Sequence, residues 1–310
     1  MSTTTSPLAA LSGAAKAAAT AAGPSTVSIG RHGRGTGVVV GTDRVLTNAH
    51  NLRDRSTLVT FADGRAVQGR VVGTDPDHDL VVLDVETAEA PALEWSDRAL
   101  EAGDIVFAAA RSPKGLRVTF GLVSAADRSF RGPRGRRVKG AVEHSAPLAR
   151  GASGGPLLDD TGRLAAINTH RLGEGFYLAQ PADAHLRGRV EQLVAGAHLG
   201  ARRLGVAIVA PEESARLRKR VGLPEQGGLL VQGVVPGSPA ADAGIGEGDL
   251  LTSVAGHAMT DVDDLWDALD TASEELDVVI LRGAESRTVT VSFAVPVTTD
   301  ASDGADQPDA

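Results

Sequence analysis

The sequence predicts a mainly β chain: a sandwich or barrel of many short strands, followed by a smaller domain that mixes strands with helix. Three observations carry this. From Thr26 to about Leu178, short β-branched runs alternate with turn residues, and no helical pattern interrupts them. Around Leu186 the hydrophobic period changes from two to 3.6. A second set of strand and helix signals then runs from about Arg202 to Phe293. The 310 residues suit about two domains, and 42% hydrophobic content is enough for two cores. With aromatics at only 3%, those cores must be built from Val, Leu, Ile and Ala.

Residues 1–24 are Ala-, Ser- and Thr-rich and read as a flexible arm. The β domain, 25–198, opens with strands such as Val38-Val39-Val40 before the turn Gly41-Thr42-Asp43. Leu58 to Phe61 precedes the Asp63-Gly64 hairpin signal. Ile105-Val106-Phe107, Val118-Thr119-Phe120 and Leu164 to Ile167 read the same way. Leu186, Val190, Leu193 and Val194 fall on one helix face, with Asp183 as N-cap and Gly196 as stop. This helix closes the first domain. The second spans 201–294; within it Thr260 and Asp263 form a capping box for a helix carrying Leu265 and Leu269. Residues 295–310 are acidic, with almost nothing apolar, and are expected to be disordered.

Composition excludes several classes of function. A net charge of −8 argues against a nucleic-acid coat or a basic membrane-surface protein. Without cysteine there are no disulfides, thiolate nucleophiles or zinc–cysteine sites. His78, His144, His170, His185, His198 and His257 show no metal-ligand spacing, so neither metal nor cofactor is expected. No run reaches the ~18 apolar residues of a membrane span. Leu8 to Gly23 resembles a signal peptide in composition, but no basic residue precedes it and Lys16 interrupts it. The expectation is a cytoplasmic protein, with the cell envelope or secretion as the alternative.

The chemistry is concentrated in three stretches. Gly151-Ala152-Ser153-Gly154-Gly155-Pro156 is a serine cradled by glycines. Such a loop can turn sharply and aim two backbone N–H groups, those of Gly151 and Ser153, at one developing oxyanion. Thr47-Asn48-Ala49-His50 ends a strand in a histidine, and Asp79 directly precedes the buried-strand run Leu80-Val81-Val82-Leu83. A serine needs a base, and the base needs a carboxylate to fix its tautomer. The chain supplies all three in the order His50, Asp79, Ser153. Among rival carboxylates, Asp75 and Asp77 suit a turn with Pro76, and Asp84 alternates to another face.

These three stretches, ending in Ala166-Ile167-Asn168-Thr169, closely resemble the HtrA/Deg serine proteases, and Gly35-Thr36-Gly37-Val38 resembles that family's early Gly-Ser-Gly strand. The resemblance implies a chymotrypsin-like double six-stranded β-barrel, with base His50, orienting carboxylate Asp79 and nucleophile Ser153 in the cleft between barrels. It also implies that Leu148, Thr169, His170, Tyr177 and Leu178 wall the specificity pocket. Pro147-Leu148-Ala149-Arg150, before the nucleophile, carry no acid, so a preference for Lys or Arg is not expected. A small or medium apolar residue before the cut is. Ala152 stands where the family usually has Asn, and the connection from Ile29 to Gly35 is very short. The family's trimers use N-terminal aromatics, whereas none precedes Phe61 here; an oligomer is left open and a trimer is not expected.

The second domain carries Arg203-Leu204-Gly205-Val206-Ala207-Ile208, Val234-Val235-Pro236-Gly237-Ser238-Pro239-Ala240-Ala241 and Gly248-Asp249-Leu250-Leu251. It resembles a bacterial PDZ domain, a small α+β module that adds a peptide as an extra strand and grips its terminal carboxylate with loop amides. Leu204, Gly205 and Val206 match the carboxylate loop. Val206, Ile208, Leu265 and Leu269 match the apolar socket, although the same residues also read as plain core. Arg128, Arg131, Arg134, Arg136, Arg137 and Lys139 read as a solvated hairpin, with sensing of an acidic partner as the functional alternative. No aromatics interleave them as nucleic-acid binding would require. The sequence therefore predicts a serine endopeptidase acting on unfolded or damaged proteins, with C-termini recruited by the PDZ domain. The alternatives are a latent protease serving as a peptide-binding chaperone or adaptor, and a narrowly specific processing protease.

Overall fold

A computed structural model describes residues 6–131, 137–173, 175–200, 202–224, 226–271 and 274–293. The chain divides into two compact units, Met1–Gly200 and Ala201–Ala310. The acidic stretch 295–310 lies outside the described residues.

The first unit begins with helix α1, Pro7–Ser25. Six strands follow: β1 (Thr26–Ile29), β2 (Gly35–Gly41), β3 (Arg44–Asn48), β4 (Ser56–Thr60), β5 (Ala66–Asp75) and β6 (Leu80–Asp84). They close into a barrel in the order β1-β2-β3-β6-β5-β4. A second barrel is made by β7 (Ile105–Ser112), β8 (Gly115–Arg131), β9 (Arg137–His144), β10 (Pro156–Leu158), β11 (Leu164–Gly173) and β12 (Phe176–Pro181), in the order β10-β11-β12-β9-β8-β7. Helix α2, Ala184–Val194, starts at Asp183, whose carboxylate accepts the Leu186 N–H at 2.9 Å.

The two-residue period of the strands explains how one sequence fills three cores. In β6, Val81 and Leu83 point into the first barrel with Val27, Ile29, Val45 and Val59. Leu80 and Val82 point the opposite way, joining Val38 and Leu46. That outward set packs against Phe107, Ala109, Leu158, Leu164 and Ile167 of the second barrel and against Leu186, Val190 and Leu193 of α2. A third cluster, including Val106, Val123, Val142 and Leu157, fills the second barrel. The barrels are thus joined by an apolar interface, and loops at its edge are held from both sides.

α1 departs from the expected flexible arm. Its alanines have high helix propensity, and the fully buried Ala18 and Ala22 pack into the interface between the barrels. Small side chains that look featureless in sequence allow this close docking.

The second unit holds a sheet in the order β13-β14-β15-β17-β18, with β16 paired to β15. Its strands are β13 (Val206–Val209), β14 (Leu229–Val234), β15 (Leu250–Val254), β16 (His257–Ala258), β17 (Glu275–Arg282) and β18 (Glu285–Ser292). Helices α3 (Pro211–Arg220), α4 (Pro239–Asp242) and α5 (Val262–Thr271) complete it. The capping carboxylate of α5 is Asp264 rather than Asp263: it accepts the N–H groups of Thr260 and Asp261 at 2.7 and 2.8 Å.

Candidate active site

His50 sits on a single 3-10 turn, Ala49–Asn51, at the end of β3. Asp79 ends the turn between β5 and β6, with a left-handed φ of 57°. Asp tolerates that conformation better than most residues. The carbonyl of Asp79 accepts the Ala49 N–H at 3.0 Å and Asn48 Nδ2 at 2.9 Å. Its carboxylate grips the histidine twice: Oδ1 accepts the His50 backbone N–H at 2.9 Å, and Oδ2 lies 2.5 Å from His50 Nδ1. Asp79 is fully buried, while the imidazole remains 39% exposed. The carboxylate fixes the proton on Nδ1 and leaves Nε2 as a bare acceptor.

The rival carboxylates are engaged elsewhere. Asp75 accepts the His78 N–H at 3.1 Å and Arg189 Nη1 at 2.6 Å. Burial alone would raise its pKa, but hydrogen bonding and charge from His78, together with Arg189, outweigh this and hold it below the usual range. Asp77 is buried in the same turn, and Asp84 is exposed and paired with Arg44.

Ser153 lies just before β10. Its Oγ is 2.9 Å from His50 Nε2, 3.0 Å from Asn48 Oδ1 and 2.9 Å from the Thr169 carbonyl. Around it, alternate amides are consumed: the Ala152 N–H bonds the Ala149 carbonyl, and the Gly154 N–H bonds the Asn168 carbonyl. The N–H groups of Gly151 and Ser153 have no partner among the described residues. Gly151 adopts φ 81°, and a Cβ there would lie 2.4 Å from the Gly33 carbonyl oxygen, so only glycine fits. The arrangement offers a polarised hydroxyl, an acceptor for its proton and two donors for an oxyanion.

The supports of this loop carry no motif of their own. Thr36 donates its N–H to the Ser153 carbonyl at 3.0 Å and its hydroxyl to the Gly151 carbonyl at 2.7 Å. Asn51 Nδ2 donates to the Ser153 carbonyl at 2.9 Å. Asn168 bonds the Gly155 carbonyl through its backbone N–H at 2.9 Å and its Nδ2 at 3.0 Å. Because Nδ2 is the donor there, Asn168 Oδ1 must accept from His144 Nε2, 3.0 Å away. His144 is fully buried, stacks on Tyr177 with centroids 5.7 Å apart, and is kept neutral by burial, its pKa pulled down to about 4 despite the bond to Asn168. Thr36 and Asn168 lay inside the quoted motifs without a role, while Asn51 and His144 had no signal that local spacing could reveal.

The expected specificity residues divide. Leu148 is half-buried against the second-barrel core. Thr169 presents its carbonyl to Ser153. His170 pairs through its backbone with Leu178 across β11 and β12. Leu178 is fully buried; Tyr177, also buried, lies between His144 and the guanidinium of Arg171, which sits 5.6 Å from the ring centroid. Arg128, on the β8–β9 hairpin, pairs with Glu143 at 2.9 Å. Arg134 and Arg136 lie outside the described residues. Among those described, no group of three potential ligands could hold a metal ion, and no helix is long and apolar enough to cross a membrane.

In the second unit, the Val235 N–H bonds the Gly205 carbonyl at 2.8 Å. Val206 and Val234 are therefore a non-hydrogen-bonded pair of the antiparallel ladder, and the Val206 N–H and C=O face the open edge of β13. Gly205, at φ 81°, passes so close to Ser238 that a Cβ would lie 2.3 Å from the serine Cβ. Val206 and Ile208 are half-buried, whereas Leu204, Leu265 and Leu269 belong to the core. Of the residues expected to form the apolar socket, Val206 and Ile208 on β13 are partly exposed, whereas Leu265 and Leu269 are buried.

Comparison with known proteins agrees with this geometry. Residues 35–167 match the trypsin-like peptidase domain and residues 230–282 the PDZ domain. HhoA of Synechocystis sp., named as a serine protease, is 32% identical over 281 residues, covering 84% of this chain and 71% of HhoA. The periplasmic serine endoprotease DegP of Escherichia coli is 32% identical over 238 residues, covering 73% of this chain. The chain spans 49% of DegP and 66% of a second Synechocystis relative, HhoB. A serine endoprotease structure from Yersinia pestis superposes with TM-score 0.64 at 26% identity, covering 89% of this chain and 96% of that one. The HtrA-type protease AlgW with decapeptide superposes at TM-score 0.68 and 24% identity, over 89% of this chain and 97% of that one, a likeness of fold. The chain belongs to the HtrA/Deg family of serine proteases, a trypsin-like double barrel joined to a PDZ domain.

Proposed function

We propose that the chain is a serine endopeptidase that cleaves unfolded or damaged polypeptides through an acyl-enzyme. Ser153 Oγ attacks the scissile carbonyl carbon while His50 Nε2 takes its proton; Asp79 stabilises the resulting imidazolium through Nδ1. The oxyanion is received by the N–H groups of Gly151 and Ser153. His50 returns the proton to the leaving amine, which departs, and water then releases the acyl group by the same steps in reverse roles. The observation that carries this reading is the 2.9 Å approach of Ser153 Oγ to His50 Nε2 beside two amides without partners. The open edge of β13 beside Gly205 supports capture of a C-terminal peptide as an added strand. The test is hydrolysis of an unfolded generic protein by wild type and by Ser153→Ala. Cleavage lost in the variant is expected. No cleavage by either protein would favour the peptide-binding adaptor.

A further inference from the structure

Between the N-terminal helix and the oxyanion loop runs a chain of hydrogen bonds that belongs to neither catalytic motif. The C-terminal carbonyls of a helix have no partners within it and carry partial negative charge. Where α1 runs into β1, Arg111 of β7 meets one such carbonyl and the next strand's first: Nη2 donates to Gly23 at 2.7 Å, which also accepts the Thr26 N–H, and Nε donates to Thr26 at 2.5 Å. No carboxylate lies within ion-pair distance of this guanidinium among the described residues. Burial lowers its pKa from the ordinary guanidinium value, so the carbonyls of Gly23 and Thr26, at the junction of α1 and β1, are what hold the charge in place. The backbone N–H of the same residue reaches Thr36 Oγ1 at 3.3 Å. That hydroxyl spends its proton on the Gly151 carbonyl at 2.7 Å, while the Thr36 N–H holds the Ser153 carbonyl. The two carbonyls held by Thr36 lie in the peptide units that follow the two free amides, one Cα away from each, so the course of the loop that aims those amides depends on Thr36, and the place of Thr36 depends on β7.

We propose that Arg111 is a positioning residue through which docked α1 holds the oxyanion loop in its competent form, so that detaching this helix lowers turnover without blocking substrate binding. The inference rests on the protease reading above. Undocking α1 would release Arg111, loosen β7 against Thr36 and let the Gly151–Ala152 peptide turn, which re-aims the Gly151 and Ser153 N–H groups on either side of it. Binding of the ground-state peptide does not require those amides, whereas the tetrahedral species does.

The test uses the full chain and four variants: Arg111→Ala, Arg111→Lys, Ala22→Asp, which places a charge in the buried helix contact, and the double variant Arg111→Ala/Ala22→Asp. Each is assayed with a fluorogenic peptide and with a peptide boronate that forms a tetrahedral adduct on the serine. Removing one oxyanion donor costs on the order of 100-fold or more, so a loosened loop is expected to cost roughly tenfold in kcat, with KM within about twofold. Boronate affinity should fall by the same factor, Arg111→Lys should recover part of the loss, and the double variant should be no worse than the poorer single. If Ala22→Asp does not fold, the two Arg111 variants decide alone. A kcat for Arg111→Ala within about twofold of wild type, or a kcat loss with boronate affinity unchanged, would overturn the proposal. A wild type inert to both peptide and boronate would overturn the protease reading and this inference with it.

Discussion

Replacing Asp79 by Asn tests the logic of the site with a change of one atom. The left-handed backbone at position 79 suits Asn as well as Asp, and the main-chain bonds from Asn48 and Ala49 to its carbonyl are untouched. The side chain has two places to fill. The one facing the His50 backbone N–H must remain oxygen, because that N–H needs an acceptor. The other, 2.5 Å from Nδ1, then becomes an NH2 group. A donor there forces Nδ1 to accept, which moves the imidazole proton to Nε2. Ser153 now faces an N–H instead of a lone pair, and its proton has no base. Flipping the amide instead would set two donors against each other in a buried site, at about 1–3 kcal/mol. The expected loss is about 10⁴-fold in kcat, as for the same exchange in the general Ser-His-Asp template, or about 5.5 kcal/mol of transition-state stabilisation. KM should change little, and thermal unfolding should stay near wild type. The assay is steady-state hydrolysis of a fluorogenic peptide, with the acylation rate measured in a single turnover. An Asp79→Asn enzyme that keeps more than about a tenth of the wild-type kcat would refute the assignment of Asp79 as the residue that sets the tautomer.

Four further outcomes are expected. His144 is neutral and buried, with its pKa pulled from 6.5 to about 4. In that window the unfolded chain takes up a proton that the folded one refuses, so its contribution is complete above pH 6.5 and falls by about 3 kcal/mol on the way to pH 4; denaturant unfolding of His144→Gln should lack this acid-dependent loss, and equal pH slopes for variant and wild type would count against it. Gly205→Ala puts a Cβ 2.3 Å from that of Ser238 at a positive φ, so anisotropy should show C-terminal peptide binding weakened at least ~10-fold with short-peptide cleavage intact. Burial acts to raise the pKa of Asp249, but the hydrogen bond from Arg282, the Gly246 N–H and the charge of Arg282 outweigh it and hold the pKa below the ordinary carboxylate range. Asp249→Asn should therefore destabilise the PDZ unit at pH 7, with the difference from wild type shrinking as pH falls through the folded-state pKa; a constant difference would exclude this linkage. A library cleavage profile should favour small or medium apolar residues before the cut, and a basic preference would contradict the absence of an acid in Pro147-Leu148-Ala149-Arg150.

What the sequence disclosed follows the range of the forces involved. The β6 run Leu80-Val81-Val82-Leu83 and the α2 face Leu186, Val190, Leu193 were legible because burial imposes a period on neighbouring residues. The triad was legible because each member sits in a tight turn whose residue types are demanding: Asp at left-handed φ, glycines beside the serine. α1 was misread because its docking uses alanine, which leaves no hydrophobic stripe, and its end is held by an arginine more than 80 residues away. The partition of the PDZ residues was also out of reach. Helical spacing brings Leu265 and Leu269 together but does not say which side of the helix meets the sheet.

The supports of Ser153 suggest why this architecture needs two barrels for one serine. The nucleophile and its glycines belong to the second barrel, as do Asn168 and His144. Yet the carbonyls of Gly151 and Ser153 are held by Thr36 and Asn51, and Ser153 Oγ meets Asn48 and His50, all from the first barrel. The base and its carboxylate are fixed wholly within the first barrel, through β3 and the turn before β6. Sub-ångström changes in the docking of the barrels would leave the His50–Asp79 pair intact but would misplace Ser153 Oγ and the two amides together. The orientation of the base and the assembly of the site around it are thus separable: the first depends on a local turn, while the second, both Ser153 Oγ against His50 and the two amides, depends on the interface that Phe107, Leu158, Leu46 and α1 pack together. Any signal that controls this enzyme by changing its shape has its greatest leverage on the second.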